Sequence, residues 1–460
     1  MRKPLFDVQY LAMMESIRMI SRRRLIQSMG IAGAVAFGNT SAMAQFGALD
    51  GAANGLIGNT GSDVSAQLLD LLFRASALQQ PLFLPAGDYL VGNISLPPNT
   101  LIVGMRGQTN LVAIKDGPIL SGQGVQNVSI ENLTFIGTGS ASSSEGFGLV
   151  DMVNCNAINI NGCAFERSAS TGLSLYGCAG TVEKNSFKNI ANAAIASTDA
   201  TDVSITNNSI DGCGNNGILV WRNDNSHDGS IVMGNRIKNI DWRSGGNGQN
   251  GNGINVFRAA DVIVSNNVIT DCAFSAIRAN GSVNCQIIGN NCRNLSEVAI
   301  FSEFDFSGSI VAQNIVDGAA QGISITNWND GGHLAVCANN IVRNIWKTSP
   351  NNPDTIPVGI GVEADIVVDG NVIENVPGTG IAAGWGPYMR NISITDNLIR
   401  EVDYGIYVSL ADGIGAAQVK DNQIDSPRLA AIVGGRWDDI IEMNLQKAAD
   451  KYPMISVSGN

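Results

Sequence analysis

Residues 267–279 read NVITDCAFSAIRA. An asparagine two positions ahead of an isoleucine opens the stretch, and a small residue followed by isoleucine closes it. The same unit, Asn-x-(Ile/Phe/Val), about nine residues, then (Gly/Ala)-(Ile/Leu), recurs along residues 163–434. Its first element falls at Asn185, Asn208, Asn235, Asn267, Asn291, Asn314, Asn340, Asn371, Asn397 and Asn422, with Cys163 in the Asn position one turn earlier and spacings of 22 to 32 residues. Its second element runs from Gly172-Leu173 to Ala431-Ile432. A period of this size marks a solenoid.

Each element is a short alternating run bounded by Gly, Asn or Asp, the pattern of a strand between turns. Helical periodicity is almost absent. The predicted fold is therefore all-β: a single-stranded, right-handed parallel β-helix of about 11–13 coils with an N-terminal capping helix and a short C-terminal helical cap. In-register stacking sets each position on its equivalent in the next coil, so Ile and Val build the core while the asparagine amides bond one another as a ladder. The 49 asparagines thus carry structure before function. Open coil ends need cover. Ser62-Asp63 is read as the cap of a helix directing Val64, Leu68, Leu69, Leu72 and Phe73 to one face, and DDIIEMNLQKAAD at 438–450 as the cover at the other end.

The first 44 residues read as a leader. Ser21-Arg22-Arg23-Arg24-Leu25-Ile26 precedes an apolar run to Gly38, and Ala42-Met43-Ala44 offers small residues for cleavage. The pattern is that of a twin-arginine signal, and its apolar run is too short to span a bilayer. The twenty residues ahead of the arginines leave the start open between Met1 and Met19. Residues 45–460 are expected to form one β-helix domain: a capping segment at 45–100, coils at about 101–435 and a cap at 436–460. Such a leader implies a periplasmic or secreted protein, the twin-arginine translocase as partner during export, and no membrane span in the mature form.

Removing six basic and two acidic residues with the leader leaves 22 basic and 38 acidic residues, a formal charge of −16. That balance excludes a nucleic-acid partner, which needs a basic face. It also makes an anionic polysaccharide awkward without a local basic patch or a bound cation. The eight cysteines lack the spacing of a disulfide scaffold and read as buried thiols.

A longer period overlies the short one. Gly217 pairs with Gly322, Asn235 with Asn340, Gly253 with Gly359 and Asn267 with Asn371, at offsets of 104 to 106. NDNSH at 223–227 and NDGGH at 329–333 fall on this register and hold the only histidines, His227 and His333. Two stretched loops, each ahead of a Gly-Ile strand, carry Trp242 and Trp346, while Trp221 and Trp328 flank the NDxxH stretches. Loops of this kind decorate a scaffold with function, and these should wall a groove along the Gly-Ile sheet.

Alternation places one outward row at Leu219, Asn255, Arg278, Phe301 and Ser324, and the next at Trp221, Phe257, Asn280, Glu303, Thr326 and Glu363. Trp221, Trp242, Trp328, Trp346, Phe257, Asn255 and Arg258 are the candidate glycan-binding residues, since sugar rings stack on aromatics and hydroxyls bond to polar groups. Candidate catalytic groups are His227 with Asp224 or Asp228, and His333 with Asp330, each a base oriented by a carboxylate. Arg222, Arg258 or Arg278 could neutralise a substrate carboxylate. A hydrolase would instead pair Glu303 with Asp305 or Glu363. The plainer account of NDxxH is a turn closed by its own Asn, Asp and His. GNGQNG at 246–251 lacks the following helix of a dinucleotide site. DNSHDG at 224–229 begins like a calcium loop but has Asn235 where the bidentate Glu belongs, so no metal ligands are assigned, and calcium is the one cofactor the pattern admits.

The leader joined to the duplicated block at about 217–371 resembles a family of twin-arginine-translocated, uncharacterised repeat proteins. LFLPAGDYLVGNISLPPNTLIVGM at 82–105 resembles the opening of pectate-lyase-like β-helix proteins. The first resemblance implies export and fold without an established activity. The second implies polysaccharide lyases, hydrolases and epimerases, although fold does not fix function. Two functions stay open: an enzyme acting on a polysaccharide in the groove, and a non-catalytic glycan-binding or cell-envelope scaffold.

Overall fold

A computed structural model describes residues 47–139, 146–246 and 248–460; the leader at 1–44 lies outside them. Each coil lays down three strands. In one coil they are Asn252–Ala260 on the Gly-Ile face, Ile263–Ser265 on a back face and Val268–Cys272 on the Asn face. Each pairs in parallel with the next coil, through Ile254↔Ile277, Ile263↔Gln286 and Val268↔Asn291. The result is a right-handed parallel solenoid of about 14 turns. The sequence count stops short because the first turns, starting from Leu82–Phe83, lack the Asn element.

The core follows from the repeat. Ile254, Ile277, Ile300 and Ile323 point inward with no exposure. Small residues precede them for a steric reason: a Cβ at Gly253 would meet Ile269 Cγ2 at 2.5 Å and the Ala276 carbonyl at 2.7 Å. Phe135, Phe165 and Phe187 stack at centroid distances of 5.1 and 4.6 Å. All eight cysteines are buried and unpaired.

The asparagine ladder forms, with one correction. Asn267 Nδ2 donates to the Val232 carbonyl and to Asn290 Oδ1, both at 3.0 Å, and Asn267 Oδ1 accepts from Asn235 N at 2.9 Å and Asn235 Nδ2 at 3.0 Å. The rung after Asn267 is Asn290 and not Asn291, which is exposed and pairs with Val268. The tandem Asn290-Asn291 hides the register, and Cys292 in the isoleucine position discloses it. Ahead of each rung the chain turns through a left-handed residue, as at Asn266 (φ 55°), where Asn and Gly are best tolerated. Asn460 adds a last rung, accepting from Asn422 Nδ2 at 2.9 Å.

At the N-terminal end the helix Ser65–Leu78 covers the first coil by burying Leu68, Leu71, Leu72 and Ala75. Phe73, expected on that face, is 55% exposed. The helix begins later than expected, with Asp63 Oδ1 accepting from Ser65 N at 2.8 Å. At the other end Asp439–Glu442 folds back antiparallel on Ala430–Arg436. The short helix Leu445–Ala448 follows, and Ile455–Ser458 returns to pair with Ala417–Lys420. Among the described residues no helix is long and apolar enough to cross a membrane.

Candidate functional site

Trp221, Phe257, Asn280 and Glu303 stand side by side on successive Gly-Ile strands, as alternation predicts. Gly248 and Gln249, just ahead of the strand Asn252–Ala260, lie above Asn255 and Arg278 in the neighbouring row. Together these residues and Phe304 enclose a cavity of about 390 Å³. An adjoining cavity of about 400 Å³ carries Asp224, Asn225, Arg258 and Asp305 and shares Phe257, Asn280 and Phe304 with the first. The two make one trough.

Beneath it lies a buried ion cluster. Arg278 grips Glu303 with two bonds, Nε to Oε1 at 2.6 Å and Nη2 to Oε2 at 2.9 Å, and reaches Glu297 Oε2 with Nη1 at 3.0 Å. Asn280 Nδ2 donates to Glu303 Oε1 at 2.9 Å. The guanidinium lies 5.0 Å from the Phe301 ring centroid. Gly248 presses so close that a Cβ would fall 2.2 Å from Nη1. Burial opposes the Arg278 charge, yet Glu303 and Glu297 outweigh it and hold its pKa above the ordinary range. Burial pushes the Glu297 carboxyl up, against the pull of Arg278. The second long loop, 346–357, closes over the same cluster: Asn352 Nδ2 donates to Glu297 Oε1 at 3.0 Å and Asn351 Nδ2 to the Ala273 carbonyl at 2.7 Å.

The Trp221 indole nitrogen is buried without a hydrogen-bond partner, although such groups are normally paired. A backbone feature of the trough points to a ligand. Phe304 and Asp305 are consecutive non-glycine residues at φ 46° and 40°, a strained conformation of the kind that gathers at binding and catalytic sites.

Other sequence candidates lie elsewhere. Beyond a register shift at Trp221/Ser226, His227 pairs with Ala260 and lines neither cavity. Its carboxylate partner is Asp261 of the next coil, with Nδ1 to Oδ2 at 2.7 Å, and neither Asp224 nor Asp228 as expected. That bond raises the exposed imidazole's pKa, against slight desolvation. Asp228 is buried, bonds Ser230 N at 3.1 Å, and sits 3.7 Å from Arg222 Nη1. His333 closes its own turn through Nδ1 to the Gly331 carbonyl at 2.7 Å, and opens the back-face strand His333–Ala338. Asp330 ends the 3₁₀ turn Trp328–Asp330 and does not orient this ring. The two pentapeptides, alike in sequence, are a bulged strand and a 3₁₀ turn.

Trp328 lies under the Arg390 guanidinium at 4.9 Å, and Trp242 packs on Phe274 at 5.0 Å. Trp346 joins Arg243, Asn189, Asn239, Asp271 and Asn294 along another cavity, of about 970 Å³. Trp346 is the one aromatic in its lining, so the smaller trough, with three aromatics over a buried ion cluster, is the candidate site. Glu363 lies two coils from Glu303, roughly 10 Å by strand spacing, and accepts from Trp328 N at 2.7 Å. Burial drives its carboxyl up to about 7. Among the described residues no group of three or more His, Cys, Asp or Glu side chains could hold a metal.

Sequence reasoning missed Glu297, Phe304 and Asp261. Glu297 carried a signal, as an acidic residue just ahead of the apolar Val298-Ala299-Ile300 run. Phe304 follows its strand at a turn that alternation does not reach, and Asp261 meets His227 only through stacking.

Residues 109–237 match a family model described as right handed beta helix region. Among solved structures, a PL6 alginate lyase complex with trisaccharide is similar at 13% identity and a TM-score of 0.55, over 90% of this chain and 88% of that one. The A-module of Azotobacter vinelandii mannuronan C-5 epimerase AlgE6 is similar at 16% identity and 0.50, over 76% and 98%. PfbA, a surface adhesin of Streptococcus pneumoniae, is similar at 14% identity and 0.50, over 84% and 94%. No curated protein sequence matches the chain. The fold is thus a right-handed parallel β-helix, one shared by enzymes and adhesins alike.

Proposed function

We propose that the protein is exported and binds a polysaccharide along the trough over its Gly-Ile sheet. One observation carries the reading: Trp221, Phe257 and Phe304 converge with Asn255, Asn280 and Gln249 along one trough, aromatic rings beside side-chain amides. Sugars present apolar ring faces beside hydroxyls, which rings and amides of this kind match. Export rests on the leader at residues 21–44.

A single feature favours turnover as a second reading. The strained backbone at Phe304–Asp305 holds a carboxylate at the trough's rim, where Asp224 lines the same cavity, and paired carboxylates are what glycoside hydrolysis requires. A histidine base with Arg278 as counter-charge is less well supported, since the histidines line neither cavity and Arg278 is already engaged. Titration calorimetry of purified protein with soluble glycans tests the binding reading. Trp221→Ala with Phe257→Ala should weaken binding at least about tenfold, by the usual worth of stacked aromatics; unchanged affinity would sink it. New reducing ends that vanish in Asp305→Asn would add hydrolysis.

A further inference from the structure

Taking the trough as a glycan site, we infer that it selects polysaccharides without acidic groups, neutral or amine-bearing, and rejects polyuronates. The charges lining the trough and directly beneath it are two guanidiniums, Arg258 and Arg278, against four carboxylates, Asp224, Glu297, Glu303 and Asp305. Arg278, the buried guanidinium, is not free to receive a substrate carboxylate, and the exposed Arg258 is outnumbered on its rim by Asp224 and Asp305. Arg278 spends its fork on Glu303 and its remaining arm on Glu297. A uronate could reach it only by displacing a bidentate, buried partner, which strands a carboxylate in a dry site. Arg258 lies over the Phe257 ring at 4.8 Å and donates through Nη1 to the Asn223 carbonyl at 2.7 Å, with Asp224 and Asp305 on the same rim. The remaining polar groups, the Asn255, Asn280 and Gln249 amides, suit hydroxyls. A chain of acidic sugars would meet twice as many carboxylates as guanidiniums there. A hexose polymer meets donors, acceptors and ring faces. Amine substituents meet Asp224 and Asp305.

The test compares affinities for a soluble β-glucan, polygalacturonate and chitosan at low and high salt, in the native protein, Glu297→Gln and Asp305→Asn. Glu297→Gln keeps the shape that Arg278 and Asn352 hold while removing one charge; Asp305→Asn, at the rim, serves if the buried change unfolds the chain. The native protein should bind β-glucan or chitosan at least about tenfold more tightly than polygalacturonate at low salt. Each variant should narrow that gap by about five- to tenfold, with high salt narrowing it too. Polygalacturonate binding as well as β-glucan in the native protein overturns the inference and leaves the glycan reading standing. Failure of all three polymers to bind overturns the glycan reading and this inference with it.

Discussion

Replacing Asn267 by alanine should destabilise the protein far more than replacing Asn291, although the two residues look interchangeable in sequence. Asn267 is 1% exposed and holds four hydrogen bonds of 2.9–3.0 Å, two given and two received. Alanine removes the acceptor of Asn235 N and takes partners from Asn235 Nδ2, Asn290 Oδ1 and the Val232 carbonyl. Each orphaned buried group costs about 1–3 kcal/mol. Neighbouring rungs share the loss incompletely, so the sum is about 3–5 kcal/mol. The site is mid-array, so the weakened interface falls between coils that stabilise one another. Asn291 is exposed, and its alanine variant should stay within about 0.5 kcal/mol of the native protein. Asn290→Ala should match Asn267→Ala. Equilibrium urea unfolding followed by circular dichroism reads the three midpoints. Equal shifts for Asn267→Ala and Asn291→Ala would refute both the ladder's energetic role and the register assigned to it.

Glu363 gives a pH dependence. Its folded pKa of about 7 lies above the ordinary value of 4.5, so the folded state holds the proton more tightly and the associated stability, complete below pH 4.5, is lost as pH rises through 7. At 1.36 kcal/mol per pKa unit the loss is at most about 3 kcal/mol. Glu363→Gln should therefore gain on the native protein between pH 4.5 and 8 in thermal unfolding, and a constant difference across that range would count against it. Arg278→Leu should destabilise by about 3–5 kcal/mol by leaving Glu297 and Glu303 buried and unpaired; a loss below about 1 kcal/mol in urea would contradict the cluster's burial. Burial pushes the thiols of Cys163, Cys178, Cys213, Cys285, Cys292 and Cys337 up to about 12. Iodoacetamide at pH 8 should leave these six unmodified in the native protein and label them only after unfolding, as mass spectrometry would report.

The coil was legible because its determinants are local and repeated. Ile254 and Ile277 turn inward for the same reason, and in-register stacking makes one coil's reading valid for the next. The trough's floor was legible too, since alternation alone places Trp221, Phe257, Asn280 and Glu303 on one row. What alternation could not supply was the state of the charges. Arg278 reads in sequence as a free cation, and only the approach of Gly248 and the fold of loop 346–357 bury it between two glutamates. Matching pentapeptides likewise did not ensure matching structure: a register shift lets 222–225 bulge from its strand, whereas Asn327 at φ 72° sends the second copy into a 3₁₀ turn.

The duplication nevertheless has a structural consequence that equivalence of the two pentapeptides would have obscured. The first long loop covers the row beside its own coil, placing Gly248 on Arg278. The second starts four coils along and runs back, so that Asn351 and Asn352 anchor at Ala273 and Glu297. Two copies of one insertion therefore close over a single ion cluster instead of building two sites, and the trough borders that shared roof. Asn352→Ala tests the dependence. If the second loop fixes Glu297 and through it Arg278, the change should weaken glycan binding and loosen the Arg278–Glu303 pair, seen as faster amide exchange at 346–357 and along Ile277–Asn280. Loosening confined to the loop, with binding intact, would mean that the first loop and Glu303 alone organise the site.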